Sequence, residues 1–426
     1  MTKKTGWLPR LALSLSAAAA VLVPLHLLRF GEPPQSRGTY WILSRRPLYH
    51  VETVGGTLWA VPNPWTVVTS SDYPKSFPVA KPAGTLRIFC IGQSTTEGAP
   101  FQPEAGYPKW LSEILADVVP GEKIEVIDAG VSGSDSFRDL PIVQEVMGYH
   151  PDLLVLYEGN NEGIQPQLRL IQERMGNGFG RFVYWIGDYF PLIRRIAASL
   201  HFRRPGDAVL MALYKRNVRA MIELARTQHV PVVLLGQVNW AILANPMAAS
   251  PHNQFLRSQQ EPDVSFVDAR RIFLRKRACP NVVPDCLLDF AHPSLHGEWL
   301  MALALARGIA KRGWFASSVR WRWSKLKTED AYRKELKLSR DFLAKAYINE
   351  AWSVYSDPAH IANMYYDVSE AERMEKGIII QMASEQRGWR FHPALIRAVL
   401  HYYDQTDPAA GAKFEGILRA RGDAAP

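Results

Sequence analysis

Four short stretches of this 426-residue chain pair reactive or hydrogen-bonding side chains with glycines that let them reach a substrate. The first is Gly92-Gln93-Ser94-Thr95-Thr96-Glu97-Gly98, which follows the apolar run Leu86–Ile91. A serine on a tight turn past a buried strand is a candidate nucleophile, although a loop serine alone says little. The second is Asp128-Ala129-Gly130-Val131-Ser132-Gly133, and the third is Tyr157-Glu158-Gly159-Asn160-Asn161-Glu162. Glycine at a strand end brings a backbone N–H to close range, and asparagine adds a neutral donor. Donors of this kind around one serine describe an oxyanion hole. Gly130 and Gly133 are both candidate backbone donors, and Asn160 and Asn161 both candidate amides. The fourth stretch is Asp289-Phe290-Ala291-His292. An aspartate three residues before a histidine can accept the imidazole Nδ1–H, which leaves Nε2 as a base toward the serine. His296, four residues on, reads as structural.

Other chemistries fit less well. A phosphate-binding loop needs lysine after its last glycine, and Ala99 follows Gly98. There is no H-E-x-x-H and no Cys/His cluster, so the expected metal and cofactor complement is none.

These residues must be positioned by something. Leu86–Ile91, Ile124–Ile127, Leu153–Tyr157, Val230–Leu235 and Val264–Val267 are apolar runs of strand length. Helical patterns over Tyr107–Val118, Asp139–Gly148, Asp207–Thr227 and Leu300–Ala310 follow most of them. Buried strands alternating with helices predict a mostly parallel, five-stranded sheet covered on both faces. Chemistry in such folds gathers at the carboxyl ends of the strands. Residues 163–205 interrupt the alternation. Between Leu168 and Pro205, seven arginines stand against Glu173 and Asp188, among many aromatics. This insertion reads either as an extra packed helix or as a lid that contacts membrane.

The flanks differ in composition. Met1–Arg10 is basic, Leu11–Leu28 carries no charge, and Arg29 closes the run. The only small-x-small cleavage motif, Ala18-Ala19-Ala20, lies inside the apolar run, which favours a transmembrane signal-anchor over a cleaved signal peptide. Basic residues before the span place the N-terminus in the cytoplasm and everything after about Phe30 outside it. Cys279 and Cys286 then read as a disulfide closing a small loop, with two unrelated thiols as the alternative, while Cys90 reads as a buried hydrophobe. Residues 31–84 form a strand-rich extension with TLWAV and WTVVT as strands. Residues 314–426 form a helical C-terminal region that begins with the basic VRWRWSKLK and continues with a helix over Thr328–Tyr355.

Composition narrows the classes further. With 47% hydrophobic residues the chain can bury a large core, and three cysteines cannot staple a small disulfide scaffold. The net charge is +9, yet no zinc finger, RNA-recognition signature or basic zipper accompanies it, so nucleic acid is not an expected partner.

The ordered set of Ser94, Gly133, Asn161 and Asp289/His292 resembles the SGNH hydrolase superfamily, also called GDSL-type esterases and lipases, over residues 85–313. The resemblance implies a three-layer α/β/α, flavodoxin-like domain. It implies Ser94 as nucleophile, His292 as base, Asp289 orienting it, and an oxyanion hole from Ser94, Gly133 and Asn161. Gln93 replaces the aspartate of G-D-S, and G-x-N-E replaces G-x-N-D. FPVAKPAGTLRIFCIGQSTTEG also resembles a subgroup of bacterial envelope proteins with this domain behind a membrane anchor. The expected protein is therefore a single-pass inner-membrane esterase with its domain in the periplasm or cell exterior. Its expected substrate is an O-acetyl ester on a glycan. A lipid, lysophospholipid or thioester substrate, acyl transfer, and a silent glycan- or partner-binding domain are the alternatives. The lipid bilayer and a protein held by the C-terminal helices are the expected partners.

Overall fold

The computed structural model describes residues 47–63, 76–102, 104–162, 207–239, 242–243, 250–274, 286–288, 291–315 and 319–338, with a few isolated positions beyond. Residues 1–46, the segment WTVVT, the insertion 163–205, Cys279, Asp289 and nearly all of 339–426 lie outside the described residues. The signal-anchor reading of 11–28 therefore falls outside them. Among the described residues no helix is long and apolar enough to cross a membrane.

The described residues open with an antiparallel sheet of β1 (Tyr49–Val54), β2 (Thr57–Pro62) and β3 (Phe77–Pro78). The main sheet follows: β4 (Thr85–Gly92), β5 (Lys123–Gly130), β6 (Leu153–Tyr157), β7 (Val232–Leu235) and β8 (Val264–Val267). Its strands are all parallel, in the order β5-β4-β6-β7-β8. The helices are α1 (Ser94–Glu97), α2 (Tyr107–Val118), α3 (Ser136–Val146), α4 (Asp207–Thr227), α5 (Pro251–Ser258), α6 (Arg270–Phe273), α7 (Leu295–Arg312) and α8 (Glu329–Glu335).

Alternation along β4 divides the core. Ile88 and Cys90 face a layer built from α2, α6 and α7. Phe89 and Ile91 face a layer built from α3, α4 and α5. Side chains of successive strand residues point to opposite faces, so an all-apolar strand must be covered on both. The small sheet packs on the second layer. Fully buried Arg87 ties it to β4, donating from Nη2 to Pro78 O (2.9 Å) and from Nε to Glu125 Oε2 (2.7 Å). Glu145 on α3 accepts the N–H groups of Leu48 and Tyr49 at 2.6 and 2.8 Å.

The C-terminal segment departs from expectation. Among the described residues its first helix covers Glu329–Glu335 and closes there, because Leu336 and Lys337 N–H bond the Tyr332 and Lys334 carbonyls and Lys337 adopts φ +53°; most of the remaining expected span to Tyr355 lies outside the described residues. Tyr332 is buried, and Trp321, Trp323 and Leu326 pack on the α2/α7 layer, so this part of the region completes the α/β core.

Candidate active site

The strand order itself makes a crevice. The chain steps from β4 to β5 at the sheet edge, then returns across β4 to β6. Loops leaving the carboxyl ends of β4 and its neighbours therefore diverge, which opens a cleft where Ser94 stands. Gly92 ends β4 where a Cβ would lie 2.4 Å from the Tyr157 carbonyl oxygen, so only glycine lets β4 and β6 close up beneath the turn. Gln93 follows, buried, and its carbonyl accepts Thr96 N–H and Glu97 N–H (2.8 and 2.9 Å), folding Ser94–Glu97 into one helical turn. Ser94 is partly exposed at the head of that turn.

The structure brings His292 to it: Nε2 and Ser94 Oγ are 2.8 Å apart. The two are 198 residues apart in sequence. His292 sits in a compact turn before α7. Leu288 N–H donates to His292 O (2.8 Å), and Ser294 N–H to Cys286 O (2.9 Å). The Ser294 side chain caps α7 by accepting Gly297 N–H at 3.1 Å. Thr95 Oγ1 donates to Ala291 O (3.4 Å), linking the serine turn to the histidine turn. Cys286 is disulfide-bonded and Cys90 is free and buried. Cys279, its expected partner, and Asp289, the expected orienting acid, lie outside the described residues.

The loop after β5 wraps the other side of Ser94. Glu97, buried, accepts Ser132 N–H at Oε2 (2.6 Å), and Val131 N–H donates to Gly92 O (2.9 Å). Gly133 is half-buried there in the left-handed region, φ +74°. Gly130 serves packing instead. Its N–H is held by Asp128 Oδ1 (2.9 Å), and a Cβ on it would fall 2.3 Å from Glu97 N.

Hydrogen bonds also separate the two asparagines. Asn161 Nδ2 donates to Ser134 O (2.9 Å), and Asn161 N–H donates to Gln93 Oε1 (3.0 Å). Its carboxamide thus belongs to the serine side of the cleft. Asn160 turns toward β7: Nδ2 donates to the Tyr157 hydroxyl (3.2 Å), while Oδ1 accepts from Gln237 Nε2 (3.2 Å) and Asn239 Nδ2 (3.4 Å). Asn253 Oδ1 and Ser250 Oγ complete this polar shelf by bonding Gln237. His296 lies outside the cluster, bonded at Nδ1 to Glu329 Oε2 (2.5 Å) and stacked on Trp299.

Several positioning groups carry no motif signal. Glu97 is one helical turn past Ser94, and Glu162 holds Ser136 N–H at 2.9 Å from the residue after Asn161. Their spacing to the glycine motifs is the only sequence clue. Asp139, fully buried on α3, contacts Glu158 and Ser134 and so bridges the loops carrying Gly133 and Asn161. Burial pushes its carboxyl up to about 7, with the nearby Asp135 adding to the shift and Arg138 opposing it. Native protein therefore holds a proton here that the unfolded chain releases near pH 4. Stability from this group is complete below that pH and is lost as pH rises toward about 7. In thermal melts, Asp139→Asn should flatten the decline of Tm between about pH 4 and 7 that the parent shows. An unchanged slope would show that the proton sits elsewhere.

Buried Glu298 on α7 also holds its proton above the usual carboxylate range, chiefly through burial; its Oε2 accepts Tyr107 N–H at 2.7 Å. No metal-ligating group of three His, Cys, Asp or Glu occurs among the described residues. The cluster places a serine hydroxyl at hydrogen-bond distance from an imidazole, beside the glycine and asparagine loops, which suits nucleophilic attack on an acyl carbon.

Residues 90–300 match the GDSL-like lipase/acylhydrolase family. No curated protein matches the chain. Among solved structures, a catalytic mutant of Axe2, an acetylxylan esterase from Geobacillus stearothermophilus, is 20% identical, with 55% of this chain and 97% of that one covered at a TM-score of 0.35. The family 3 carbohydrate esterase of Clostridium thermocellum is 15% identical, with 53% and 96% covered at a TM-score of 0.32.

Proposed function

Through residues 90–300 this chain belongs to the GDSL-like lipase/acylhydrolase family and is a carboxylic ester hydrolase, and from that premise we propose that Ser94 and His292 remove O-acetyl groups from a glycan. The observation that carries the catalytic assignment is the 2.8 Å contact between Ser94 Oγ and His292 Nε2. Ser94 Oγ attacks the ester carbonyl carbon as its proton passes to His292 Nε2. The role of orienting the opposite ring nitrogen is assigned to Asp289 by the resemblance of its Asp-x-x-His motif. The backbone N–H groups of Ser94 and Gly133 and the Asn161 amide hold the tetrahedral oxyanion. The Ser134 carbonyl takes one Nδ2 hydrogen of Asn161 and sets the plane of the amide, leaving the second for the oxyanion. Collapse breaks the C–O bond, and His292 returns the proton to the leaving alcohol. Water, deprotonated by His292, then cleaves the acetyl-serine to acetate and free enzyme.

The polar shelf favours a glycan. Asn160, Gln237, Asn239 and Ser250 flank Asn161 with amides and a hydroxyl that can both donate and accept, which is the chemistry sugar hydroxyls require. The test treats the chain with a fluorophosphonate and compares p-nitrophenyl acetate with the palmitate ester. Labelling lost in Ser94→Ala, with acetate turned over faster, supports the reading. Preference for palmitate would transfer it to lipids. A folded chain that neither labels nor turns over would overturn it.

Gln93, where the motif G-D-S has aspartate, acts on Asn161 through a neutral acceptor. Gln93→Met should lower kcat roughly tenfold with little change in KM, the cost of misplacing one donor by about 1.4 kcal/mol. Gln93→Asp, which keeps an acceptor, should retain more activity. Equal losses in both would remove Gln93 from this role.

The proposed location is the inner membrane, with Leu11–Leu28 as a single span and the domain outside the cytoplasm. The disulfide at Cys286 supports an oxidising compartment. Release of the intact chain from membranes by alkaline carbonate would contradict the span.

A further inference from the structure

An open groove of about 520 Å³ lies between α7 and the segment that follows it, lined by Arg307, Ala310, Lys311, Trp323 and Leu326. Helices rise about 1.5 Å per residue, so Arg307–Lys311 stand roughly 20 Å along α7 from His292. Arg312 Nη2 donates to the carbonyl of Val264, the first residue of β8, and Arg322 N–H donates to Val118 O at the end of α2. The groove is therefore at the amino ends of the strands, opposite the cleft. The chain enters the main sheet at this same end, at Thr85.

The surroundings of the groove are cationic. Lys311, Arg320, Arg322 and Lys325 are exposed, and among the described residues none of the four has an ion-pair partner. Lys327 beside them is engaged by Asp117 and Glu335. Trp321 and Trp323 stack at 5.6 Å and 13°, and both remain partly exposed. Indoles bordered by unpaired lysine and arginine match the headgroup layer of a bilayer, where amphipathic rings and basic side chains are both stabilised.

We propose that this foot of the domain docks on anionic phospholipid, with a headgroup phosphate between Lys311 and the Trp323 edge. The anion preference rests on the groove, whereas the choice of lipid over another polyanion rests on the proposed anchoring of residues 11–28. Docking through the foot turns the Ser94 cleft away from the membrane, toward envelope glycan.

The full chain would be mixed with vesicles of phosphatidylcholine, or of phosphatidylcholine with phosphatidylglycerol, and its lysines labelled with an amine-reactive reagent. Lys215 on α4 serves as the internal standard. Labelling of Lys311 and Lys325 should slow roughly fivefold with phosphatidylglycerol, the factor one basic residue gains at an anionic surface. Protection should vanish in roughly 0.5 M salt. It should also vanish in R320E/R322E, a variant whose turnover of p-nitrophenyl acetate is unchanged. Equal labelling in both vesicles would overturn the proposal, as would protection by a soluble uronic acid polymer and not by vesicles. Carbonate extraction reports on the span separately, so loss of anchoring and loss of docking are distinguishable.

Discussion

Ser94→Ala and His292→Ala should each lower kcat on p-nitrophenyl acetate by about 10⁴-fold or more, and the double variant should be no worse than either alone. The reason is the 2.8 Å Nε2–Oγ contact. A serine hydroxyl is a poor nucleophile at neutral pH until a base takes its proton during attack. With either partner gone, the other has nothing to act on, so their effects do not add. Ser94 is partly exposed and its side chain lies outside the packed core, so alanine should leave Tm almost unchanged. KM for p-nitrophenyl acetate should move little, because the two groups act on the transition state and not on the bound substrate. Burst kinetics would complete the measurement: the parent should release p-nitrophenol ahead of steady state if the acetyl-serine accumulates. Additive losses in the double variant would mean that serine and histidine act in different steps, and the assignment of His292 as the base would fall.

Asn161→Ala should cost about 10²–10³-fold in kcat, again with a small change in KM. An oxyanion donor works on charge that exists only in the transition state, so its loss appears in kcat. Asn161 is well placed for this, since the Ser134 carbonyl and Gln93 Oε1 hold its side chain and its backbone. A donor already oriented needs no reorganisation when the oxyanion forms. Asn160→Ala offers the contrast. Asn160 belongs to the network of Tyr157, Gln237 and Asn239, so its loss should raise KM for an acetylated oligosaccharide and leave kcat on p-nitrophenyl acetate nearly intact. Reversed results, with Asn160 controlling kcat, would exchange the two assignments.

Regular elements were readable where the burial pattern is unambiguous. β6 and β8 occupy Leu153–Tyr157 and Val264–Val267, and α2 and α4 occupy Tyr107–Val118 and Asp207–Thr227, as periodicity predicts. Misjudged boundaries share a cause. β5 runs past Ile127 to Gly130 because its backbone pairs with β4 whatever the side chains, with Asp128 opposite Cys90. α3 begins at Ser136, three residues before the apolar pattern, because the Asp135 side chain accepts Phe137 and Arg138 N–H. α7 begins at Leu295 because Ser294 caps it, although His296 and Gly297 hide the start. The polar helix Pro251–Ser258 escaped notice, since Phe255 and Leu256 are its only buried apolar side chains and the third buried residue, Asn253, is polar. Caps and backbone pairing act through hydrogen bonds, which hydrophobic periodicity does not register.

By itself the sequence determined the fold class, the succession of the five main-sheet strands and the long helices between them, and the residue types delivered to each strand end. Those are local properties: runs of apolar side chains, glycines at turns, and spacing along one chain. Only the tertiary structure decided which of these residues meet. It brought Ser94 and His292 within hydrogen-bond distance across 198 residues, gave Asn161 and Asn160 different partners, and gathered Glu97, Gln93 and Asp139 around the loops that carry them. The physical reason is that a parallel sheet gathers the ends of distant strands at one edge, and the contacts made there depend on strand order and side-chain direction. Neither is encoded in any one segment.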